Sequence, residues 1–416
     1  MKRSESYEGT GSVKGKVRRK AAPAQTGTIG IGLIGCGGMG RFVAKKVLDQ
    51  DPRLKVRGLF DPDERSIKAS REQLAPDATA YRDYRELCAA KDIDWVMIAS
   101  WNCYHRDHTV AAFQAGKHVF CQKPLATTVD DCVAMRDAWL ASGRMFNIGF
   151  SLRYSPHYRT IRGLLDERKI GDLVSFEFNE VLGFNHGGYI MGDWRRLTKY
   201  AGTHLLEKCC HDIDLANWFV GSRASRVASF AGLDFFVPGN EKHMQRLGKS
   251  DKGRQAYRTW GGLVDLNPFT SDKDIFDNQV GIIEYGNRVR ATFHTNCNSG
   301  IPERRMYLNG TEGAIRADLV AGRIELARIG FKESVQEVKA GVAGGHGGGD
   351  DVLAKELADS MLRGVKPSVG LDEGLASAFT CFGMDKAVTT GRVVDMAPYW
   401  AKVAGKGKGM GRGLHG

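Results

Sequence analysis

No run of apolar residues in this 416-residue chain approaches the roughly 18 needed to cross a bilayer, so no transmembrane helix is expected, and no membrane partner is expected either. Cysteine pattern is missing too. The nine cysteines (Cys36, Cys88, Cys103, Cys121, Cys132, Cys209, Cys210, Cys297 and Cys381) form an odd set without the spacing of a metal site or a disulfide scaffold. A reduced, cytoplasmic chain is expected. The body also lacks charge of one sign. Of the formal net charge of +12, residues 1–20 hold +5 and residues 402–416 hold +4, leaving +3 for the 381 residues between. That balance gives no basic groove for a duplex, so no nucleic-acid partner is expected. Arg18-Arg19-Lys20 precedes only Ala21, Ala22 and Pro23 before polar Gln25-Thr26, so no export leader is expected either.

Length implies two domains, because single cores stop growing at roughly 250–300 residues. Residues 28–34 read as a buried strand, residues 35–40 as a glycine turn, and Phe42, Val43, Val47 and Leu48 as one face of a helix. Further strands at 54–60, 95–99 and 118–121 alternate with helix-like segments, the rhythm of a doubly wound parallel sheet over 28–150. From 151 to 400 the rhythm changes. A helix at 156–167, a strand at 172–181 and a long helix at 203–220 precede strands joined by tight turns, which predicts an α/β domain with a mostly antiparallel sheet. The polar stretch 236–274 has no clear period and reads as an insertion, either a lid or an inter-subunit arm. Residues 1–27 are expected to be a disordered basic arm, and 401–416 a disordered Gly/Lys tail.

Gly35, Gly37 and Gly40 stand between that first strand and helix, where a dinucleotide fingerprint requires them: a tight turn, close approach of pyrophosphate, and close helix–strand packing. Gly38 and Met39 open the helix, whose N-terminal N–H groups suit a phosphate. Asp61 closes the second strand, where a carboxylate accepts from the adenosine ribose and repels a 2'-phosphate. NAD is therefore expected over NADP, with Arg65 the residue that could still serve a 2'-phosphate.

The glycine turn, residues 98–105 (ending Trp101-Asn102-Cys103-Tyr104-His105), 115–124 (ending Gln122-Lys123-Pro124), 149–154, 207–214 and 346–350 together resemble the glucose-fructose oxidoreductase, inositol dehydrogenase and rhizopine-catabolism (Gfo/Idh/MocA) family over about residues 28–395. The resemblance implies a Rossmann domain followed by an α/β domain with an open sheet that commonly pairs into dimers or tetramers. It also implies NAD-linked oxidation of a secondary hydroxyl on a sugar, glycoside or cyclitol. Lys123 matches the lysine of the family's Glu-Lys-Pro motif and would hold the reacting oxygen, while Gln122 stands where the family has glutamate. His211 matches the family's catalytic histidine. On one helix from Thr203, His204, Glu207 and His211 fall within about 60° of one another, a polar stripe facing away from the core. Glu207 would orient the imidazole from four residues away, and His211 would act as general base.

Ser100, Asn102 and His105, in the loop after the fourth strand, are candidates to touch the nicotinamide, though His105 could instead cap the next helix. Arg153, Tyr154, Trp194, Arg195 and His204 are candidates for the substrate side, Trp194 as an apolar platform for a ring. Arg153, Arg195 and Arg196 would suit an anionic substrate or form surface salt bridges. Residues 347–349 read as a sugar-contacting turn or as a helix entry capped by Asp350. Convergence of His204, Glu207 and His211 on a metal is a competing reading, disfavoured because three groups on one helix rarely reach one ion. Two other outcomes stay open: redox-neutral glycoside cleavage in the same site, and a nucleotide-dependent regulator without catalysis.

Overall fold

A computed structural model describes residues 27–261, 264–341 and 344–404. Expectations for residues 1–26 and 405–416 lie outside the described residues. The tail was expected to begin at 401, yet a short helix, Ala397–Ala401, continues into turns through Ala404.

Six strands form a parallel sheet: β1 Ile29–Ile34, β2 Leu54–Phe60, β3 Thr79–Ala80, β4 Trp95–Ile98, β5 His118–Cys121 and β6 Phe146–Ile148, in the order β3-β2-β1-β4-β5-β6. All six residues of β1 and all four of β4 are buried, as an apolar run covered by helices on both faces should be. The order reverses between β1 and β4, and ligands of open α/β sheets bind beyond the carboxyl ends of strands at such a switch point. There the Gly35 turn, the 99–105 loop and the Lys123 loop emerge side by side.

Nine strands form the second sheet: β7 Leu173–Gly183, β8 Ala224–Gly232, β9 Asn278–Tyr285, β10 Arg290–Ser299, β11 Arg305–Gly310, β12 Gly313–Asp318, β13 Arg323–Arg328, β14 Gln336–Glu337 and β15 Val394–Asp395. Their order is β14-β13-β12-β11-β7-β10-β9-β8-β15, antiparallel throughout except for the parallel pair β7–β10. Alternate residues of β9 are buried under the helices Cys210–Val220 and Leu371–Thr390, while the other face stays open. That open face carries Phe230, Val280 and Ile282 at 47–76% exposure.

One apolar core runs from Ile29 to Met396 through both sheets. The insertion has a second core: Phe236, Met244, Ala256, Tyr257 and Phe269 pack with Leu182, Ile190, Met191 and Cys297. It is folded against its own chain. Asp277 anchors its entry, accepting the N–H groups of Phe235 and Phe236 at 2.8 Å each.

Candidate active site

The glycine turn is built by backbone. Gly35 has φ +87°, and a Cβ there would lie 2.4 Å from the Ala99 and Ser100 backbone; a Cβ on Gly40 would lie 2.0 Å from the Gly35 oxygen. By contrast, a Cβ on Gly37 or Gly38 would meet nothing within 4 Å. The helix Gly38–Leu48 begins beside this open space with no side-chain cap, so its first N–H groups remain available to an anion. Asp61 braces the turn: one carboxylate oxygen accepts from Cys36 N and the other from Asp63 N, both at 2.8 Å. Burial raises the pKa of Asp61, and its oxygens keep further acceptor positions. Arg65 forks onto Asp63 at 3.0 Å. The cradle fits a dinucleotide, with room where the pyrophosphate must approach and an acceptor at the ribose end.

The loop after β4 is fastened rather than free. Ser100 Oγ lies 2.9 Å from His108 Nδ1, and Asn102 Nδ2 donates to the Ala201 carbonyl at 2.8 Å. His105, the first residue of its helix, is buried with its ring nitrogens against the carbonyls of Pro124 and Ser100, and burial pushes it down to about 4. Asn102 and His105, candidates to touch the nicotinamide or substrate, meet the protein's own backbone through Asn102 Nδ2 and the His105 ring nitrogens.

Lys123 lies just beyond the carboxyl end of β5, and its Nζ donates to the Glu207 carbonyl at 2.5 Å and to Glu207 Oε1 at 3.1 Å. Arg195 Nε reaches the same carboxylate oxygen at 3.3 Å. Burial opposes charge on Glu207, but Lys123, Arg195 and Lys208 hold its carboxyl well below the usual range. The anion that Gln122 no longer supplies beside Lys123 is thus supplied by Glu207. Gln122 instead packs on Gly149, where a Cβ would lie 2.5 Å from its Oε1.

The single helix expected from Thr203 is two: His204–Glu207 and Cys210–Val220, broken at Lys208-Cys209. Except for Lys208, every residue from His204 to Asn217 is buried, so there is no solvated stripe. The break separates the three polar side chains, and the Glu207–His211 pair does not form because two cations claim the carboxylate. His204 turns to Thr295 Oγ1 at 3.2 Å and to the thiols of Cys209 and Cys297; burial pushes it down to about 4. It belongs to the core rather than to a substrate pocket. His211 sits against Phe150 and His346, ring centroids 5.8 and 5.4 Å away, with its Nδ1 enclosed and unpartnered among the described residues. Burial first, then His346, Lys123 and Lys208, push it well below the usual histidine value. Among the described residues no group of His, Cys, Asp or Glu is arranged to hold a metal.

The substrate-side candidates change most. Arg153 forks onto buried Asp214 at 2.7 and 2.9 Å. Tyr154 is fully buried and donates to Glu356 at 2.8 Å. Arg196 pairs with Asp272 at 2.7 Å. Each has its charge or hydroxyl satisfied within the protein, as a group buried this far needs. Arg195 reaches Asp193, Tyr189 and Glu207, so each of the three arginines already has a carboxylate partner. Trp194 is stacked on Trp101 at 4.9 Å and 8°, with the Arg195 guanidinium 4.5 Å from its ring centre, so its faces are engaged. The 345–348 turn enters the helix Gly349–Arg363, but Asp350 pairs with His346 at 3.0 Å instead of capping.

Sequence reasoning missed His186 and Tyr189. They lie on the helix Phe184–Gly192, which follows directly on β7 and puts Tyr189 against Arg195 at 2.7 Å. The available signal was Gly187-Gly188 flanked by His186 and Tyr189, a pair of glycines with chemistry on either side.

Residues 29–150 match the family model described as an oxidoreductase family with an NAD-binding Rossmann fold, Gfo/Idh/MocA, and residues 162–396 match the C-terminal alpha/beta domain of the same family. The chain belongs to the Gfo/Idh/MocA oxidoreductase family. Inositol 2-dehydrogenase of Burkholderia multivorans is 33% identical over 195 residues, covering 47% of this chain and 55% of that protein. Bacillus subtilis YteT is 23% identical over 396 residues, covering 82% and 91%. The chain thus spans about half the length of the inositol dehydrogenase it matches. Levoglucosan dehydrogenase, solved with NADH and levoglucosan, has a TM-score of 0.73 at 20% identity, covering 89% of this chain and 100% of that one. An oxidoreductase domain protein from Kribbella flavida reaches 0.74 at 20% identity with the same coverage. At that identity the likeness is one of fold.

Proposed function

We propose that this chain is an NAD-dependent oxidoreductase that oxidises a secondary hydroxyl of a sugar, glycoside or cyclitol. The observation that carries the reading is the Lys123 ammonium at the carboxyl end of β5, held by the buried Glu207. Gly35, Gly37, Gly38, Met39 and Gly40 would cradle the pyrophosphate, and Asp61 would take the adenosine ribose and favour NAD over NADP. When bound, nicotinamide accepts a hydride from the carbon bearing the hydroxyl. His211, uncharged and with Nδ1 enclosed, would take the hydroxyl proton at Nε2. Lys123 would stabilise the developing alkoxide, and Glu207 keeps that cation in place and neutralises its burial. The inositol and levoglucosan dehydrogenases among the relatives support a polyol substrate.

Absorbance at the NADH band is the test, with the pure protein, NAD and a panel of inositols, free sugars and glycosides. Turnover with at least one polyol, reduced about 1000-fold in Lys123→Met, is expected. Tight NAD binding with no turnover on any polyol overturns net oxidation. Aglycone release without NADH, with solvent deuterium entering the carbon beside the oxidised one, would replace it with redox-neutral cleavage. The apolar residues Phe230, Val280 and Ile282 on the open sheet face support a homodimer or homotetramer; a monomer mass in sedimentation equilibrium at micromolar protein overturns that.

A further inference from the structure

The insertion is seated by its backbone on the helix Phe184–Gly192. Asn185 Oδ1 accepts the Tyr257 N–H at 2.8 Å, and a Cβ on Gly188 would lie 2.1 Å from the Tyr257 carbonyl oxygen. Only glycine allows that approach. Tyr257 is itself held at φ +66°, a conformation that a bulky side chain keeps only where its surroundings impose it. The rings of Phe236, Tyr257 and Phe269 are buried, whereas Trp260, three residues further on, is 49% exposed. Its indole rests on His186 and Tyr189, with centroids 4.6 and 5.9 Å away. From there contacts run without a gap to the proposed catalytic lysine: Tyr189 Oη accepts from Arg195 at 2.7 Å, Arg195 reaches Glu207 at 3.3 Å, and Glu207 holds Lys123 at 3.1 Å.

We propose that Trp260, backed by His186 and Tyr189, is a ring-stacking subsite that takes the apolar C–H face of a pyranose or cyclitol ring of the substrate and thereby sets which polyols are accepted. The inference rests on reading the cleft at Lys123 as a polyol-oxidising site. An indole face removes the ring's C–H area from water while leaving its equatorial hydroxyls free to bond, which is what recognition of such a ring needs. Trp194 is not available for this role, being engaged by Trp101 and Arg195. Burial pushes His186 down to about 2, so the ring behind the indole stays uncharged at neutral pH.

The experiment reads binding without chemistry. Full-length protein saturated with NADH is titrated with myo-inositol, glucose, methyl β-glucoside and cellobiose, using saturation-transfer NMR to measure Kd and the protons in contact. At least one ring is expected to bind through its C–H protons. Trp260→Ala should weaken that binding about five- to tenfold, with Trp260→Phe in between and NADH affinity unchanged as proof of folding. Unaltered Kd values in Trp260→Ala, or no binding by any of the four rings, overturns the proposal. Lys123→Met separates it from the proposed reaction: that variant should still bind the ring while its turnover falls about 1000-fold, and a wild-type protein that binds but does not turn over leaves the subsite standing while the oxidation fails.

Discussion

The two halves of the candidate site are made differently. The glycine cradle uses almost no side chains: Gly35 to Gly40 lie within six consecutive residues, and their work is to leave space and present N–H groups. Around Lys123 charged side chains dominate, drawn from the β5 loop, from the Asp193–Arg196 turn after the helix Phe184–Gly192, and from the helix His204–Glu207, whose Glu207 carbonyl adds one backbone acceptor. A site made of backbone tolerates little change of shape, whereas one made of buried charges tolerates little change of count. A missing partner there leaves an uncompensated ion in a low dielectric.

Breaking the backbone half should have the largest effect. Gly40→Val puts a side chain where a Cβ is already 2.0 Å from the Gly35 carbonyl, and NADH binding measured by fluorescence titration should be abolished. Gly38→Ala, whose Cβ meets nothing, should keep the fold by circular dichroism and weaken NADH about tenfold as the methyl meets the phosphate. Equal affinities in the two variants would mean that the turn does not hold the dinucleotide. Breaking the charge half at a distance from the chemistry comes next. Arg153→Met strands Asp214, which is buried and otherwise forked by that guanidinium, at a cost of about 3–5 kcal/mol in denaturant unfolding. A variant of normal stability but raised KM would return Arg153 to the substrate.

Acid should expose the same contrast more gently. His105 and His204 titrate near 4 in the folded chain because burial penalises their charge, against an ordinary value of 6.5. Unfolding lets them take a proton between those values. Their contribution to stability is therefore complete above pH 6.5 and lost as pH falls from 6.5 towards 4, by about 1 kcal/mol per pH unit for each. Thermal melting between pH 7.5 and 4.5 should show Tm falling through that window, with a shallower fall in His204→Asn. A Tm independent of pH there would mean that both rings titrate in the folded chain as they do in the unfolded one.

Legibility follows the same division. The strand, turn and helix of the cradle were readable because a fingerprint within one βα unit is a local pattern, and so were the two sheets, since apolar runs and alternation are set by burial of neighbouring residues. Glu207 was read as the partner of His211 because helical spacing brings residues four apart together; the break at Lys208-Cys209 and the competition of Lys123 and Arg195 are not local. Arg153, Tyr154 and Trp194 looked like free recognition groups because their partners Asp214, Glu356 and Trp101 stand 61, 202 and 93 residues away.

By itself the sequence determined the class of fold and the glycine turn of a dinucleotide site, because each is encoded by spacing over a few residues, while Lys123 and His211 stood out only through the family resemblance. Only the tertiary structure decided which charges are spent on one another. It paired Arg153, Arg195 and Arg196 with Asp214, Asp193 and Asp272, gave Lys123 a counter-ion in Glu207, and laid Trp260 of the aperiodic insertion against His186 and Tyr189. Pairing of buried charge and access to solvent depend on distances through space, and chain order does not carry them.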